Sequence, residues 1–366
     1  MYSGFYNGKK VLITGHTGFK GGWLTTWLLK LGANIVGVSK DVPTTPSMFE
    51  ELKLEDKIKH IVADVRDLDT LRDIVTIEQP DCVFHLAAQS IVSMSYLDPV
   101  ETMSTNVIGT MNILESLRSL KKPCVAVMIT SDKCYDNVEW PWGYRESDAL
   151  GGKDVYSGSK GAAELVIKSF KHSFFNNDHP VRIVVGRAGN VIGGGDWANN
   201  RIVVDCIEAW SEQRSVEIRS PNATRPWQHV LEPLSGYLTL GHAAAEKSEL
   251  HGNAFNFGPK AEQNHTVIDL LEELGQYWGF EKTEDSYHIT DNIPFHEAGL
   301  LKLNCDKALS MLKWESNLDY KETCQLVGSW YTSYYKKDED LFALTTKQIE
   351  SYESIGGERG RVWSQI

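Results

Sequence analysis

The chain has 366 residues, of which 42% are hydrophobic and 23% charged, so it can bury a large core in one big domain or in two lobes. Its net charge of −12 argues against a nucleic-acid backbone as partner, although backbone N–H groups and a few arginines can still bind a small anion. No apolar run approaches the length of a membrane span and the N-terminus has no apolar signal segment, so we expect a cytoplasmic protein with no membrane partner.

The first half of the chain alternates between strand-like and helix-like segments. Strands are predicted at 10–15, 34–39, 59–65, 82–88, 124–131 and 181–188. Helices are predicted at about 18–31, 67–79, 99–119 and 155–174. Strands that are apolar throughout and separated by helices favour a parallel sheet covered on both faces, which is a doubly wound α/β fold.

The pattern changes near residue 189, where a Gly- and Asn-rich stretch begins. We predict a sheet domain over 1–188, with a returning segment around 225–258. A smaller, mixed α/β C-terminal lobe is predicted from 189–224 and 259–366. The cleft between the two parts is the natural ligand site.

The six cysteines lie far apart, and none forms a Cys-x-x-Cys pair. We therefore expect reduced thiols, and neither a disulfide framework nor a metal site. Cys82 and Cys124 fall in apolar runs and are expected to act as small buried hydrophobes.

Three glycines follow the first predicted strand at three-residue spacing: Gly15, Gly18 and Gly21 in GHTGFKG. Such a turn lets the backbone approach a diphosphate and aims a helix N-terminus at its negative charge. The glycines lie between a strand and a helix, which is the context that a dinucleotide-binding Rossmann fold requires. The predicted cofactor site also includes Thr17 and Phe19.

The ends of the second and third strands should hold the adenosine half of the cofactor. Asp64, followed by Val65, can accept a hydrogen bond from the adenine amino group; the alternative is a helix cap or turn residue. The acid that usually binds ribose after the second strand is missing, and Ser39, Lys40 and Asp41 stand there. Lys40 could favour a 2′-phosphate, so this segment leaves NAD and NADP both open.

The fourth strand ends in small residues that leave room for a flat ligand. The cofactor residues predicted there are Leu86, Ala87, Ala88 and Gln89.

Tyr156 and Lys160 lie four apart on a predicted helix, so they share one face. A nearby ammonium lowers the pKa of a phenol, which allows a tyrosinate to take a hydroxyl proton, and Ser131 at the end of the fifth strand could hold the same hydroxyl. The alternative is an ordinary amphipathic helix. Asp132 and Lys133 follow Ser131 and must be desolvated or face a cavity, unless they form an ion pair in a surface loop.

The chain resembles the extended short-chain dehydrogenase/reductase superfamily through TGHTGFKG, ADV, LAAQ, TNVIGT, TSDKCY, YSGSK and RAGNVIGGG, in that order. Within it the chain looks like the nucleotide-sugar 4,6-dehydratases. TSDKCY, GYRE, GGKDVYSGSK and RPWQHVLEP are most similar to the branch that acts on CDP-D-glucose. The resemblance implies an NAD cofactor, adds Asn106 and Thr130 to the cofactor site, and makes the C-terminal lobe the nucleotide-sugar-binding part.

The resemblance also implies a mechanism. Tyr156, with Lys160 and Ser131, removes the C4 hydroxyl proton while hydride passes to NAD. Lys133 then takes the C5 proton and has to be neutral to do so, Asp132 donates a proton to the leaving C6 hydroxyl, and hydride returns to C6. Related dTDP-glucose enzymes carry Glu where Lys133 stands, so Lys133 could instead orient Asp132 or polarise the ketone.

The resemblance places the substrate diphosphate near Asn190. Arg201, Arg219 and Arg225 are candidate phosphate clamps, and the alternative for each is a surface ion pair. The predicted substrate residues are Gln89, Ser131, Asp132, Asn190, Gly195, Asp196, Trp197, Arg201, Arg219, Arg225, Asn256, His296 and Glu297.

The helices predicted at 99–119 and 155–174 carry broad apolar faces. In the superfamily this pair forms a four-helix bundle with a second subunit, so we expect a homodimer, with a tetramer left open. The alternative is packing on the chain's own sheet.

Three functions remain after these residues are weighed. The first is a dehydratase for CDP-glucose, in a deoxysugar branch of lipopolysaccharide O-antigen synthesis, or for another nucleotide-glucose. The second is a nucleotide-sugar 4-epimerase, which has no need of Asp132 and Lys133. The third is a non-catalytic nicotinamide sensor, which has no need of a proton relay.

Overall fold

The computed structural model of the chain describes residues 1–218, 220–260, 263, 265–280, 282–290 and 301–365. The strands are β1 (Lys10–Thr14), β2 (Asn34–Ser39), β3 (Lys59–Val62), β4 (Cys82–His85), β5 (Cys124–Ile129), β6 (Val181–Ala188), β7 (Val216–Ile218), β8 (Thr224–Arg225), β9 (Ala254–Phe257), β10 (His265–Thr266) and β11 (Tyr287–Ile289). The helices are α1 (Phe19–Lys30), α2 (Met48–Glu51), α3 (Leu68–Glu78), α4 (Val92–Leu97), α5 (Pro99–Met103), α6 (Gly109–Leu117), α7 (Val155–Phe174), α8 (Ile202–Ser211), α9 (Leu231–Glu246), α10 (Val267–Gly275), α11 (Asp306–Leu312), α12 (Tyr320–Lys336), α13 (Leu341–Glu358) and α14 (Val362–Gln365).

Seven parallel strands form the main sheet in the order β3-β2-β1-β4-β5-β6-β9. The chain starts at β1, builds outward to β3, and then crosses back to β4 on the other side of β1. This reversal opens a crevice at the carboxyl ends of β1 and β4, where ligands bind in doubly wound sheets. The predicted parallel, doubly wound α/β fold is confirmed.

Each face of the sheet is covered by its own apolar layer. One layer contains Trp23 and Trp27 of α1 together with Leu234 of α9. The other contains Leu71 of α3, with Leu114 and residues of α6 and α7. Burial on both faces explains why these strands are apolar throughout rather than alternating.

The smaller part of the molecule is built on two short strand pairs. β7 pairs with β11 in parallel, and β8 pairs with β10 antiparallel, beside α8, α10 and α12. The last helices return to the sheet domain, where Trp27 lies 6.4 Å from Trp363 between ring centroids. The domain boundaries predicted from the sequence stay a prediction.

One predicted helix is interrupted. The segment predicted as a single helix over 99–119 consists of α5, a π-helical turn at Ser104–Ile108, and α6. A π turn inserts one residue into the ladder and often marks a functional site. Among the described residues, no helix is both long and apolar enough to cross a membrane.

Candidate active site

The turn between β1 and α1 forms an anion-binding corner. Gly15 has a φ of +78°, and a Cβ there would lie 2.7 Å from the backbone nitrogen of Ala87. A Cβ on Gly21 would collide with the Gly15 carbonyl oxygen, whereas a Cβ on Gly18 would meet only that oxygen, at 3.5 Å. Gly18 is the N-cap of α1, so the helix N-terminus stays open there and at Phe19. This cradle fits a dinucleotide diphosphate.

A buried hydrogen-bonded chain, which the sequence did not predict, lies behind that corner. The His16 Nδ1 atom lies 3.0 Å from Ser39 Oγ, and its Nε2 atom lies 2.8 Å from His60 Nδ1. Burial, together with His60, lowers the pKa of His16 to about 4, so its ring is neutral. Thr17 donates its backbone N–H to Ser39 Oγ at 3.4 Å and its hydroxyl to the Asp41 carbonyl at 2.8 Å. Ser39 is therefore engaged within the protein.

The residues predicted for the adenosine half form an ion-pair network. Lys40 donates from Nζ to Glu101 Oε1 at 2.8 Å, and Arg66 pairs with the other oxygen of Glu101. Arg66 also donates from Nε to both oxygens of Asp64 at 3.0 Å. Hydrogen bonding to Arg66 lowers the pKa of Asp64, which keeps it ionised. Val65 is buried and points into the core, so it can offer a ligand only its backbone.

The loop after β4 is fixed by side chains from the π turn. Leu86, Ala87 and Ala88 are half-buried, which leaves a shallow floor of small groups. Gln89 donates its backbone N–H to Asn106 Oδ1 at 2.8 Å and its side-chain amide to Thr102 Oγ1 at 2.8 Å. Asn106 also donates to Ser159 Oγ at 2.8 Å, which joins this loop to α7. The amides of Gln89 and Asn106 thus shape the site and are not free.

Ser131, Asp132 and Lys133 form a short turn directly after β5. Ser131 Oγ accepts from the backbone N–H of Lys133 at 3.2 Å and donates to Asp132 Oδ1 at 2.9 Å. Asp132 is buried with 5% exposure, and a Cβ on Gly189 would lie 3.1 Å from its Oδ2 atom. The Asp132–Lys133 ion pair considered from the sequence is absent from the described structure: neither side chain has an ion-pair partner among the described residues. The two side chains are therefore separate groups in the described structure.

α7 presents Tyr156 and Lys160 beside that turn. The helix begins after Asp154, whose carboxylate accepts from the backbone N–H of Ser157 at 2.9 Å. Tyr156 and Lys160 are each 7% exposed, and the Lys160 Nζ atom lies 5.9 Å from the centroid of the Tyr156 ring. The sequence therefore placed the two on one helix face correctly.

The expected direction of the Tyr156 pKa shift is wrong. We expected Lys160 to lower it, but burial and the nearby Asp132 carboxylate raise the pKa of Tyr156 to about 12. Ser131 and Arg201 oppose the shift without overcoming it. Burial also lowers the pKa of Lys160 to about 8, so its ammonium loses a proton more readily than that of an ordinary lysine. A buried phenol needs more positive charge close by before it ionises near neutral pH.

A second unpredicted feature is a buried ion pair behind the reaction centre. Arg187 of β6 donates from Nε to Glu164 Oε1 at 2.7 Å and from Nη2 to Oε2 at 2.9 Å. Thr130 donates to Glu164 Oε1 at 2.5 Å, and Tyr135 receives a bond from Arg187 Nη1 at 2.8 Å. Glu164 lies one turn after Lys160, so the pair fixes α7 against β5 and β6. The feature of the sequence that could have revealed this pair is a charged residue inside each of two otherwise apolar segments. The side chain of Thr130 points to this pair.

The substrate residues predicted after β6 lie in two environments. Asn190 is exposed, and Gly195 has a φ of +82°. Asp196 is buried, pairs with Arg201 at the start of α8, and accepts at its carbonyl from Tyr331 at 2.6 Å. Arg201 remains one-third exposed.

Trp197 lies in an aromatic cluster. It is 5% exposed, and its ring packs 5.7 Å from Trp330 and 5.0 Å from Tyr334 between centroids. A stacking role on substrate stays a prediction for this side chain.

The remaining predicted substrate residues also differ in burial and in hydrogen bonding. Asn256 is fully buried, and its amide donates to the carbonyls of Tyr144 at 2.9 Å and Asn304 at 3.0 Å. Its side-chain oxygen accepts from Tyr135 at 2.7 Å, so its hydrogen-bonding capacity is largely used by the protein. Arg225 is half-buried in β8. Arg219, His296 and Glu297 lie outside the described residues.

Lys20 is a site residue that the sequence reasoning missed, although it stands inside GHTGFKG. Its Nζ atom lies 5.7 Å from the centroid of the Tyr237 ring. The charges of Arg201, Lys160 and Asp132 act on it, which places it at the reaction end of the crevice. A lysine two residues after the helix-opening glycine could have signalled this position.

Known proteins resemble this chain over most of its length. The family model described as GDP-mannose 4,6 dehydratase matches residues 12–327. The chain is 43% identical over 356 residues to a CDP-glucose 4,6-dehydratase of Salmonella typhimurium, which covers 96% of this chain and 98% of that protein. It is 25% identical over 355 residues to a CDP-paratose 2-epimerase of Salmonella typhi, which covers 88% of this chain and 99% of that protein.

A solved dTDP-glucose 4,6-dehydratase from Streptomyces venezuelae, with NAD bound, shares the fold. Its TM-score is 0.75 at 18% identity, and the match covers 91% of this chain and 99% of that chain.

Proposed function

The chain belongs to the GDP-mannose 4,6-dehydratase family, and from that premise we propose that it is a CDP-D-glucose 4,6-dehydratase. This NAD-dependent hydro-lyase converts CDP-D-glucose to CDP-4-keto-6-deoxy-D-glucose and water. The observation that carries the proposal is 43% identity, over 96% of the chain, to a relative with that activity. The buried Asp132 carboxylate, which acts on Tyr156, supports the proposal, because a reaction limited to C4 needs neither Asp132 nor Lys133.

Tyr156 takes the C4 hydroxyl proton in this proposal, and Ser131 holds the same hydroxyl. Because burial and Asp132 raise the pKa of Tyr156, the phenol ionises only when positive charge is close. Lys160 supplies part of that charge from the next helical turn. When bound, NAD adds the positive charge of its nicotinamide ring, accepts hydride from C4 and later returns it to C6.

The C4 ketone then acidifies the C5–H bond. Lys133 takes the C5 proton in its neutral form, and Asp132 in its protonated form gives a proton to the C6 hydroxyl as water leaves. When hydride reaches C6, Lys133 returns a proton to C5. Asp132 and Lys133 form no ion pair in the described structure, which supports separate roles for the two side chains. The Ser131 hydroxyl, which donates to Asp132 at 2.9 Å, links the two stages.

The substrate diphosphate is proposed to lie against Arg201 and the turn at Gly195. Arg201 is the partly exposed cation nearest the reaction centre in that segment, although it already pairs with Asp196. The other N–H groups of the Arg201 guanidinium can still donate hydrogen bonds to phosphate oxygens.

The enzyme is proposed to form a homodimer through a four-helix bundle. Large apolar side chains are exposed along α4 to α6 and on α7, namely Leu97, Val100, Met103, Ile108, Leu165 and Phe174. A monomer rarely exposes so many on adjacent helices, and a second copy of the same helices would cover them. Sedimentation velocity distinguishes a monomer, a dimer and a tetramer.

We place the enzyme in the cytoplasm, in a deoxysugar branch that supplies surface polysaccharide such as lipopolysaccharide O-antigen. The chemistry supports this placement, because a nucleotide-activated deoxysugar is a precursor for glycosyl transfer.

Mass spectrometry of the products tests the proposed function. The purified protein is incubated with NAD and, separately, with CDP-, dTDP-, UDP- and GDP-glucose. Loss of one water from CDP-glucose is the expected result. Loss of water from another nucleotide sugar instead would assign a different substrate, and an unchanged mass with an epimerised sugar would replace the dehydratase by an epimerase.

A further inference from the structure

A second cleft lies outside the crevice, where the end of α13 meets the loop after β9. Its lining includes Lys260 and Gln263 from that loop, Asn317 from the segment before α12, and Arg361 from the segment after α13. Its volume is about 240 Å³, room for about eight water molecules at about 30 Å³ each. Arg361 lies beyond residue 327, where the match to the family model ends, so this cleft is distinct from the crevice that the family shares.

A buried carboxylate fixes one wall of this cleft. Glu232 of α9 is 1% exposed and accepts backbone N–H bonds from Asn317 at 2.9 Å and from Leu318 at 2.5 Å. Tyr352 of α13 donates its hydroxyl to the same carboxylate at 2.9 Å. The backbone of Asn317 is therefore held in place by the protein itself, so a ligand would not have to order this wall.

Two polar atoms of the lining residues are buried without a partner among the residues that the structure describes. Asn317 is 2% exposed; its side-chain amide donates to the Tyr352 carbonyl at 2.9 Å, but within the described chain nothing donates to its Oδ1 atom. The Nε atom of Arg361 also lacks a described partner, although Nη1 of the same guanidinium pairs with Glu315. Buried polar groups are normally satisfied, so this donor and this acceptor indicate a ligand that carries both an anionic oxygen and a hydroxyl.

The cations around the cleft differ in how fully the protein uses them. Arg359 donates from Nη1 and Nη2 to Glu322, at 2.9 and 2.7 Å. The ammonium of Lys260, in contrast, has neither a hydrogen bond nor an ion pair with any described residue. In Arg361, Glu315 occupies Nη1, which leaves the edge formed by Nε and Nη2; such an edge matches two oxygens of a phosphate. Arg361 and Lys260 are therefore the two cations open to an added anion.

We propose that the cleft is a second ligand site, for a small phosphate monoester that also carries a hydroxyl group. The phosphate oxygens accept from the Nε and Nη2 edge of Arg361 and from the Lys260 ammonium, and the hydroxyl donates to Oδ1 of Asn317. A phosphate suits the site better than a carboxylate, because its three terminal oxygens can reach cations on two separate segments. The bound ligand joins the loop after β9 to the C-terminal helices, so it stabilises the folded protein.

Calorimetry on the full-length protein tests the site with glycerol 3-phosphate, inorganic phosphate and malate as probes. We expect glycerol 3-phosphate to bind most tightly, because among the three it alone combines a phosphate with a hydroxyl. Arg361→Met and Lys260→Met should each weaken its binding about tenfold or more, since each removes a charged hydrogen-bond donor. Arg361→Lys keeps the charge without the fork and should recover only part of the loss. Arg201→Met is the matched control in the crevice and should leave the affinity unchanged.

The other outcomes would overturn the inference. Binding lost in Arg201→Met but kept in Arg361→Met would place the probe in the crevice. Malate bound more tightly, or inorganic phosphate bound as tightly as glycerol 3-phosphate, would contradict a phosphate monoester, and no heat at millimolar concentrations of the probes would mean that there is no site. Lys260 is exposed, so Lys260→Met keeps the test decisive if Arg361→Met does not fold.

Failure of this inference is distinguishable from failure of the proposed function. Arg361→Met should convert CDP-glucose at the wild-type rate, because Arg361 lies outside the crevice. The dehydratase assay therefore reports on the proposed function, and the binding of glycerol 3-phosphate reports on the cleft.

Discussion

The charged groups at the two ends of the crevice differ in their ion pairing. At the adenosine end, Lys40 and Arg66 are both paired with Glu101, and Arg66 also holds Asp64. At the reaction end, Lys20 and Lys133 have no ion-pair partner among the described residues, although both belong to segments that face the crevice. Paired charges fix the local structure, whereas charges without a partner can interact with a reacting group.

This difference has an energetic consequence. An unpaired buried lysine destabilises the fold, and the pKa values of Lys20 and Lys160, each lowered to about 8, reflect that cost. Active sites commonly keep such groups because perturbed pKa values serve the chemistry. The contrast between the two ends therefore predicts which substitutions change activity, which change stability, and which change little.

The largest effect is expected from Tyr156→Phe at the reaction end. The variant removes only the phenol oxygen that takes the C4 proton, so kcat should fall by about a thousandfold or more. Product ketone formation measures kcat, and circular dichroism checks that the fold is kept. A kcat within tenfold of wild type would remove Tyr156 from the proposed mechanism.

A paired charge should matter for stability. Glu164→Ala leaves Arg187 buried without its carboxylate, so the free energy of unfolding should fall by about 3–5 kcal/mol. Urea unfolding measures the loss. The double variant Glu164→Ala/Arg187→Met is the control and should recover part of it; a single-variant loss below about 1 kcal/mol would mean that the pair does not fix α7.

Removal of a buried charge that has no partner should change the free energy of unfolding in the opposite direction. Since the folded pKa of Lys160 is about 8 and its ordinary value is 10.5, the charged form costs stability at all pH values below 8. Lys160→Met should therefore raise the free energy of unfolding at neutral pH by about 2–3 kcal/mol while abolishing activity.

The pH dependence supplies the control for that prediction. Between the folded and ordinary pKa values the unfolded chain binds a proton that the folded protein does not, so wild-type stability gains with rising pH. The advantage of Lys160→Met should shrink from pH 8 upward and vanish near 10.5. An advantage that stays constant over this range would show that packing, not charge, is responsible.

The smallest effect is expected from Glu101→Gln at the adenosine end. Its partners Lys40 and Arg66 are 44% and 35% exposed, and exposed ion pairs contribute little. Thermal unfolding should show a loss below about 1 kcal/mol. A larger loss would mean that the network is a core element rather than a surface one.

The sequence predicted well what depends on local pattern. The bounds of α7 agree with the prediction of 155–174, because Asp154 caps its first turn and the apolar spacing runs on without a break. The strands of the main sheet were visible because burial on both faces makes them continuous apolar runs.

Features that depend on tertiary contacts were not visible. The π turn near Asn106 reflects the bonds of that side chain to Gln89 and Ser159, which no periodicity records. The burial of Trp197 against Trp330 and the full engagement of Asn256 arise from residues far away in the chain. For the same reason the sequence singled out the glycines of GHTGFKG and passed over Lys20.

Asp132, which forms no ion pair with Lys133 in the described structure, is the proposed acid for water loss. A single-turnover reaction of Asp132→Asn with CDP-glucose and NAD tests it most directly, with NADH absorbance followed beside the mass of the sugar nucleotide. NADH absorbance should rise and persist, because C4 is oxidised while the loss of water slows by about a hundredfold or more. Loss of water at the wild-type rate would contradict the role of Asp132 and, with it, the reading of the unpaired charges at this end of the crevice.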